Sequence, residues 1–155
     1  MKIFIGSDHG GFYLKEFLKK CLYQYNIEDF GCESADSCDY PEIAHNLCRK
    51  LEEELKKSTI TENIANTIGI LICSTGQGMN MTANKYSNIR SALCYNNYIT
   101  EQARKHNNAN VITLGAKTKD EGDWDEFIEM INLFIKTKFE SGRHERRVNS
   151  INIIN

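Results

Sequence analysis

The feature that most constrains the fold of this chain is a regular alternation of short apolar runs and longer amphipathic stretches. Five runs have the length and composition of strands: Lys2–Ser7, Ile27–Phe30, Thr67–Ser74, Ile89–Tyr95 and Val111–Leu114. The third run is apolar almost throughout, which is typical of a strand that is covered on both faces. The pattern therefore favours a buried sheet with helices between its strands.

The stretches between these runs have helical periodicity. Predicted helices cover Leu14–Tyr25, a segment opened by Pro41, a segment from about Gly78, Ile99–Asn107, and Trp124–Phe139. The polar segment Lys56–Thr67 is predicted to end the second helix and form a surface loop. Strands alternating with helices predict an α/β fold, a single-domain Rossmann-like three-layer sandwich around a five-stranded parallel sheet, over residues 1–155.

Composition excludes several classes of protein. The chain has 155 residues, 26% of them charged, and a net charge of -2, so it lacks the basic excess of a nucleic-acid or membrane-surface binder. It contains no apolar stretch near the ~20 residues that span a bilayer. Its six cysteines form no C-x-x-C pair, which disfavours zinc and dithiol chemistry. We therefore expect a soluble, cytoplasmic protein with no nucleic-acid or membrane partner.

The most informative loop follows the third predicted strand, in the sequence ICSTGQGMN. Ligands of parallel sheets bind beyond the carboxyl ends of the strands, and the small residues here allow backbone amides to converge on an anion. The loop ends in neither Gly-Lys-Ser/Thr nor a third glycine, so it matches neither nucleotide-binding motif. Converging amides also favour the thiolate form of a cysteine. Two interpretations stay open: an active Cys73, or a buried strand cysteine beside an ordinary turn.

Other polar groups lie at predicted element ends. Asp8 and His9 follow the first strand, and His106 with Asn107 ends a predicted helix. Asp8 and His9 are also consistent with an Asx turn and a solvent-facing ring, and His106 with a cation at a helix C-terminus. A thiol base, an imidazole, a carboxylate and an amide nest are together the groups needed to isomerise a sugar phosphate.

The C-terminal segment, 141–155, has an unusual composition. It contains Arg143, His144, Arg146 and Arg147, which suit a phosphate but equally a solvated basic tail. Apolar residues follow at Val148, Ile151, Ile153 and Ile154. A disordered tail has little use for these, so we expect the segment to pack on a partner subunit.

Seven ordered motifs give the chain a family resemblance from residue 2 to about 150. They are GSDHGG, DYP, ILICSTGQGM, ANK, IRSALC, ARKHNNANV and GRHERRV. In this order they resemble the type B ribose-5-phosphate isomerases, whose sister group comprises the subunits of galactose-6-phosphate isomerase. The resemblance implies interconversion of D-ribose 5-phosphate and D-ribulose 5-phosphate through an enediolate. A hexose 6-phosphate isomerase, or a non-catalytic phosphate- or nucleotide-binding flavodoxin-like module, is the alternative.

The resemblance also implies roles for individual residues. Cys73 matches the catalytic base, His106 the group that opens the sugar ring, and Asp8 a group that handles hydroxyls. Thr75 lines the nest that binds the enediolate oxygen. The remaining implied substrate-binding residues are His9, Tyr40, Ser74, Gly76, Gln77, Gly78, Asn107, Lys117, Arg143 and Arg147. The family builds this site at a homodimer interface, in some cases within a dimer of dimers, and the resemblance implies neither a metal nor an organic cofactor.

The chain departs from the family pattern at three places. Ser74 replaces a glycine, and its Cβ disfavours positive φ. Lys117 stands where an arginine is usual, which exchanges a bidentate fork for a point charge. The Lys56–Thr67 segment is several residues longer than usual.

Overall fold

The structure, a computed structural model, describes residues 1–57, 66–120 and 122–151. Its centre is a sheet of five strands, all parallel, in the order β2-β1-β3-β5-β4. The strands are β1 (Lys2–Ser7), β2 (Asn26–Asp29), β3 (Thr67–Cys73), β4 (Ser91–Leu93) and β5 (Val111–Gly115). Strand β3 is central and buried at every position after Thr67, because helices cover both faces of a parallel sheet.

Helices on the two faces complete the predicted three layers. They are α1 (Phe12–Cys21), α2 (Tyr40–Lys57), α3 (Gln77–Ala83), α4 (Asn97–Asn107), α5 (Asp125–Lys136) and α6 (Arg143–Asn149). Helices α1, α4 and α5 bury Leu18, Ala103 and Phe127 in a core on one face. Helices α2 and α3 bury Leu47 and Met79 in a separate core on the other. The predicted α/β class and five-stranded parallel sheet are thus confirmed.

Several predicted boundaries were wrong. Strand β4 covers Ser91–Leu93 rather than Ile89–Tyr95, because the amide of Arg90 donates to the Asn110 side chain at 2.8 Å instead of to a neighbouring strand. Helix α5 ends at Lys136, so Phe139 lies outside it. In the C-terminal segment, helix α6 was not predicted.

Two predictions concern residues that the structure does not describe. Most of the predicted loop at Lys56–Thr67 lies outside the described residues, as do Ile153 and Ile154 of the apolar tail. Among the residues described, no helix is both long enough and apolar enough to cross a membrane.

The direction of the helices divides the molecule into two ends. Strands β1, β3 and β5 end together at what we call the carboxyl edge. Helix α4 begins near that edge and runs back along the sheet for about 15 Å, at 1.5 Å per residue. Beyond α5, the amide of Glu140 donates to the carbonyl of Lys105 at 3.1 Å, so the last turn of α4 and the start of the C-terminal segment lie together. We call this region the far end.

Candidate active site

At the carboxyl edge, the loop after β3 turns at Gly76. Its φ of 77° is left-handed, and a Cβ there would lie 2.4 Å from a methyl carbon of Leu93. Only glycine fits this position without strain or displacement. The turn directs the Gly76 amide to the sulfur of Cys73, to which it donates at 3.1 Å. Cys73 is buried, and this amide is a polar contact to its sulfur.

The replacement of glycine by Ser74 does not require a strained backbone. Among the described residues, only Asn108 and Ser141 have positive φ without being glycine. The Ser74 side chain lies against Gly10, where an added Cβ would be 2.3 Å from the serine oxygen. The backbone carbonyl of Ser74 accepts a hydrogen bond from the amide of Lys117 at 2.9 Å. The left-handed residue of the loop is therefore Gly76, and Ser74 is compatible with the nest.

The rest of the loop is bordered by an aromatic ring. A Cβ on Gly78 would lie 2.6 Å from the ring of Tyr40, so that ring packs directly against the first turn of α3. The hydroxyl of Thr75 accepts from the Gln77 amide at 3.3 Å. The structure thus brings together all the predicted residues of this loop with Tyr40 at its edge.

Asp8 lies beside the same loop, at the end of β1. Its amide donates to the carbonyl of Ile72, and its carboxylate accepts from the Gly11 amide at 3.2 Å. Burial raises the pKa of the Asp8 carboxyl, an effect that the charges of His9 and Lys117 and neighbouring amides reduce. A raised pKa suits a group that exchanges protons with sugar hydroxyls.

His9 and Lys117 form a basic cleft next to Asp8. His9 is exposed, and its Nδ1 accepts from the Cys38 amide at 3.3 Å. Tyr13 and Trp124 line the same cleft. These two side chains are cationic or can be protonated, and they lie beside the loop that follows β3. The cleft is therefore a suitable place for a phosphate.

The other predicted residues lie at the far end. His106, Asn107 and Arg147 line a second cleft together with Val148 and Ile151. Because α4 runs away from the carboxyl edge, one chain does not bring His106 to Cys73. The two predicted halves of the site are at opposite ends of the sheet.

His106 has close neighbours that sequence analysis did not assign to it. Its ring stacks on His144, with centroids 4.1 Å apart and planes 4° from parallel. A carboxylate oxygen of Glu140 lies 3.7 Å from Nε2 of His106 and 3.8 Å from Nε2 of His144. Arg143 Nε donates to the His144 ring at 3.3 Å. Burial lowers the pKa of His144, and the nearby His106 and Arg143 act in the same direction.

Sequence analysis noted His144 only within a basic cluster and did not identify Glu140. No local pattern marks either one, because their proximity to His106 depends on where α5 ends. The useful signal is indirect: KHNN and GRHERRV are both histidine-containing segments at the ends of predicted helices.

The fold and the carboxyl-edge loop define a class of protein: a parallel α/β domain with a buried thiol and a basic cleft at the carboxyl ends of its strands. The sequence profile of the Ribose/Galactose Isomerase family matches residues 3–151. The chain belongs to this family.

Relatives of known sequence and structure agree with this assignment. A putative sugar phosphate isomerase of Rickettsia bellii is 39% identical over 148 residues, or 94% of each chain. The structure of Clostridium thermocellum ribose-5-phosphate isomerase B is 34% identical, with a TM-score of 0.85 over 97% of this chain and 95% of that one. Ribose-5-phosphate isomerase B of Mycoplasma genitalium with bound ribulose-5-phosphate is 35% identical, with a TM-score of 0.84 over 97% and 93%.

Proposed function

We propose that this chain is an aldose–ketose isomerase that interconverts D-ribose 5-phosphate and D-ribulose 5-phosphate. The observation that carries the proposal is the hydrogen bond from the Gly76 amide to the Cys73 sulfur. A cysteine that served only to fill the core would not need a loop amide aimed at its sulfur. The family and the ribulose-5-phosphate bound to the Mycoplasma genitalium relative supply the substrate.

The chemistry needs two proton transfers on neighbouring carbons. His106 protonates the ring oxygen while Asp8 takes the proton of the anomeric hydroxyl, and the sugar opens to the aldehyde. The Cys73 thiolate then removes the proton from C2, leaving an enediolate whose oxygen is bound by amides of the loop. As the thiol returns that proton to C1, the hydroxyl proton on O2 moves to O1, and the product is the ketose. No electron leaves the substrate, so the reaction needs no redox partner.

Basic residues from both ends of the sheet hold the phosphate in this proposal. His9 and Lys117 act from the carboxyl edge, and Arg143 and Arg147 from the far end. Asn107 binds a sugar hydroxyl, and Tyr40 borders the pocket. Guanidinium forks match phosphate oxygens well, which suits the arginines to this role.

A homodimer follows from the distribution of these residues. A two-fold interface that places the far end of one copy over the carboxyl edge of the other completes two equivalent sites. The apolar side of the C-terminal segment, with Val148 and the half-exposed Ile151, is suited to such an interface. A dimer of dimers satisfies the same requirement. The six cysteines are all free thiols. This supports a location in the cytoplasm, whose reducing environment keeps thiols free.

A substrate comparison tests the proposal. Turnover is measured with ribose 5-phosphate, allose 6-phosphate and galactose 6-phosphate in coupled assays, alongside the native mass. We expect ribose 5-phosphate to give the highest kcat/KM and the mass to be that of a dimer or tetramer. Preference for a hexose 6-phosphate would overturn the substrate assignment, and nucleotide binding without turnover would indicate the non-catalytic module. An active monomer would overturn the shared site.

A further inference from the structure

Glu140, His106 and His144 form a compact group of metal-ligating side chains at the far end. One nitrogen of each ring and one carboxylate oxygen all lie within 4.8 Å of one another. Ligand atoms around a tetrahedral zinc ion are separated by roughly 3.4 Å, since each bond is about 2.0 to 2.2 Å long. The observed separations of 3.7 and 3.8 Å from Glu140 to the two histidines are close to this value.

The backbone holds these three residues in place. The hydrogen bond from the Glu140 amide to the Lys105 carbonyl fixes the carboxylate beside the last turn of α4. His144 is buried, and its ring is stacked in parallel on His106. Both Nε2 atoms lie near the same oxygen of Glu140. Because the nitrogen lone pairs of parallel rings do not converge, the half-exposed His106 ring has to turn out of the stack when an ion binds. The cluster is thus assembled by the fold and not by one flexible surface segment.

We propose that His106, Glu140 and His144 form a binding site for a zinc ion that inhibits the isomerase. Two imidazoles and one carboxylate are a common protein ligand set for zinc, with a fourth position left for water. The ion would displace the Arg143 side chain, which now donates to His144. Binding depends only on the cluster, whereas the inhibition rests on the proposed function, because zinc and the sugar ring oxygen compete for the same His106 imidazole.

The charge around the site predicts competition with substrate. Arg143 and Arg147 flank the cluster, and Glu140 is the carboxylate within it. A sugar phosphate that engages both arginines leaves them unable to move aside, so zinc and substrate exclude each other. The site is therefore inhibitory and not a cofactor site for the reaction.

Zinc binding is tested on the assembled full-length protein in buffer without phosphate. Calorimetric titration with Zn²⁺ should give one ion per chain, and side-chain NMR should show shifted His106 and His144 signals. Glu140 is half exposed, so Glu140→Gln is expected to fold. Its zinc affinity should fall by at least the factor of about 10 to 100 that even an outer-shell partner contributes. His45→Gln is the matched control: His45 lies on α2, away from the cluster, and its ring bonds the Tyr86 hydroxyl, so zinc affinity should be unchanged.

The six cysteines require a second probe, since thiolates also bind zinc. Co²⁺ at the proposed site has only nitrogen and oxygen ligands and should show no thiolate charge-transfer band. Such a band, or equal zinc affinity in the wild type and Glu140→Gln, would overturn the proposal. In turnover assays, Zn²⁺ should raise the KM for ribose 5-phosphate and act less on Glu140→Gln. If the chain did not isomerise this sugar, the proposed function would fail while the binding result still decided the metal site.

Discussion

The amide of Gly76 donates a hydrogen bond to the sulfur of Cys73 across 3.1 Å, within a turn that only glycine accommodates. This contact links a backbone requirement to a chemical one. The left-handed φ of Gly76 directs the amide inward, so that it meets the sulfur. The loop therefore fixes the position of the thiol through the backbone alone.

Replacing Cys73 with alanine should remove the base and leave the binding groups intact. We expect kcat to fall by on the order of 10²- to 10⁴-fold, the usual contribution of general acid–base catalysis. Calorimetry should still detect binding of ribulose 5-phosphate to the variant. Cys94→Ala is the control, because Cys94 follows β4 and burial raises its thiol pKa to about 11, which keeps it protonated at neutral pH. Near wild-type turnover in Cys73→Ala would show that another group is the base.

Mixing two inactive variants tests whether the site is shared. Cys73→Ala and His106→Asn should each be inactive, yet a hybrid dimer contains one site in which both residues are intact. Random exchange at equal amounts makes half of the dimers hybrid, so activity should recover to about one quarter of wild type. The control is a mixture of the two variants under conditions in which their subunits do not exchange, and it should stay inactive. No recovery after proven exchange would place the complete site within one chain.

Substituting Gly76 with alanine should lower both stability and activity. Left-handed φ costs a residue with a Cβ about 1 to 2 kcal/mol, and overpacking against Leu93 adds about 1 to 3. We expect the free energy of unfolding in urea to fall by about 2 to 5 kcal/mol. Gly122→Ala is the matched control: its φ is 91°, but a Cβ there meets nothing within 4 Å. Equal losses in the two variants would argue against a tight turn beneath Cys73.

Asp8→Asn should stabilise the protein at neutral pH. The folded pKa of Asp8 is raised above its ordinary value of 3.8, so the native state binds this proton more tightly than the unfolded chain. Stability from this group is fully present below pH 3.8 and declines as pH rises through the folded pKa. The advantage of Asp8→Asn should therefore appear above pH 3.8 and vanish below it.

Urea unfolding at a series of pH values measures this difference. Asp123→Asn, which changes an exposed carboxylate, controls for the loss of one negative charge. An Asp8→Asn protein less stable than wild type at pH 7 would mean that the carboxylate's hydrogen bonds outweigh its burial. Turnover should fall in the same variant, because Asp8 is proposed to handle hydroxyls.

Lys117→Arg should improve substrate binding. A guanidinium can meet two phosphate oxygens at once, whereas an ammonium acts as a point charge. We expect KM for ribose 5-phosphate to fall by about 3- to 10-fold, roughly 0.7 to 1.4 kcal/mol, with kcat nearly unchanged. Lys119→Arg is the control, since Lys119 lines the same cleft but pairs with Glu126. A change in kcat alone would contradict a role in phosphate binding.

Local patterns were sufficient to predict the sheet and most helices. Strand β3 is continuously apolar because it is buried on both faces, and this signal lies within seven residues. The start of β4 was not predictable, because the backbone amides before and at its first residue donate to side chains. The Ser91 amide donates to Asn84, and the Arg90 amide donates to Asn110. Helix α6 was missed because seven residues give little periodicity, and its packing against α4 depends on tertiary structure.

The individual residues of the candidate site were predicted from the sequence. Their separation into two groups at opposite ends of the sheet was not predicted. Cys73 and His106 each belong to a recognisable segment, but their positions at opposite ends follow from the direction of α4. Glu140 was missed because its relation to His106 depends on where the chain turns after α5. Roles of individual residues remain predictions for the variants above.

The contact between Gly10 and Ser74 links the side chains that these two positions can carry. A Cβ at residue 10 and the hydroxyl at residue 74 would occupy the same space, 2.3 Å apart. The two positions therefore share one small volume, and the chain has assigned it to the serine. Substitutions there are coupled: a side chain at position 10 requires the Ser74 hydroxyl either to turn away or to be removed, as alanine at position 74 would do. The residue tolerated at one position therefore depends on the residue at the other.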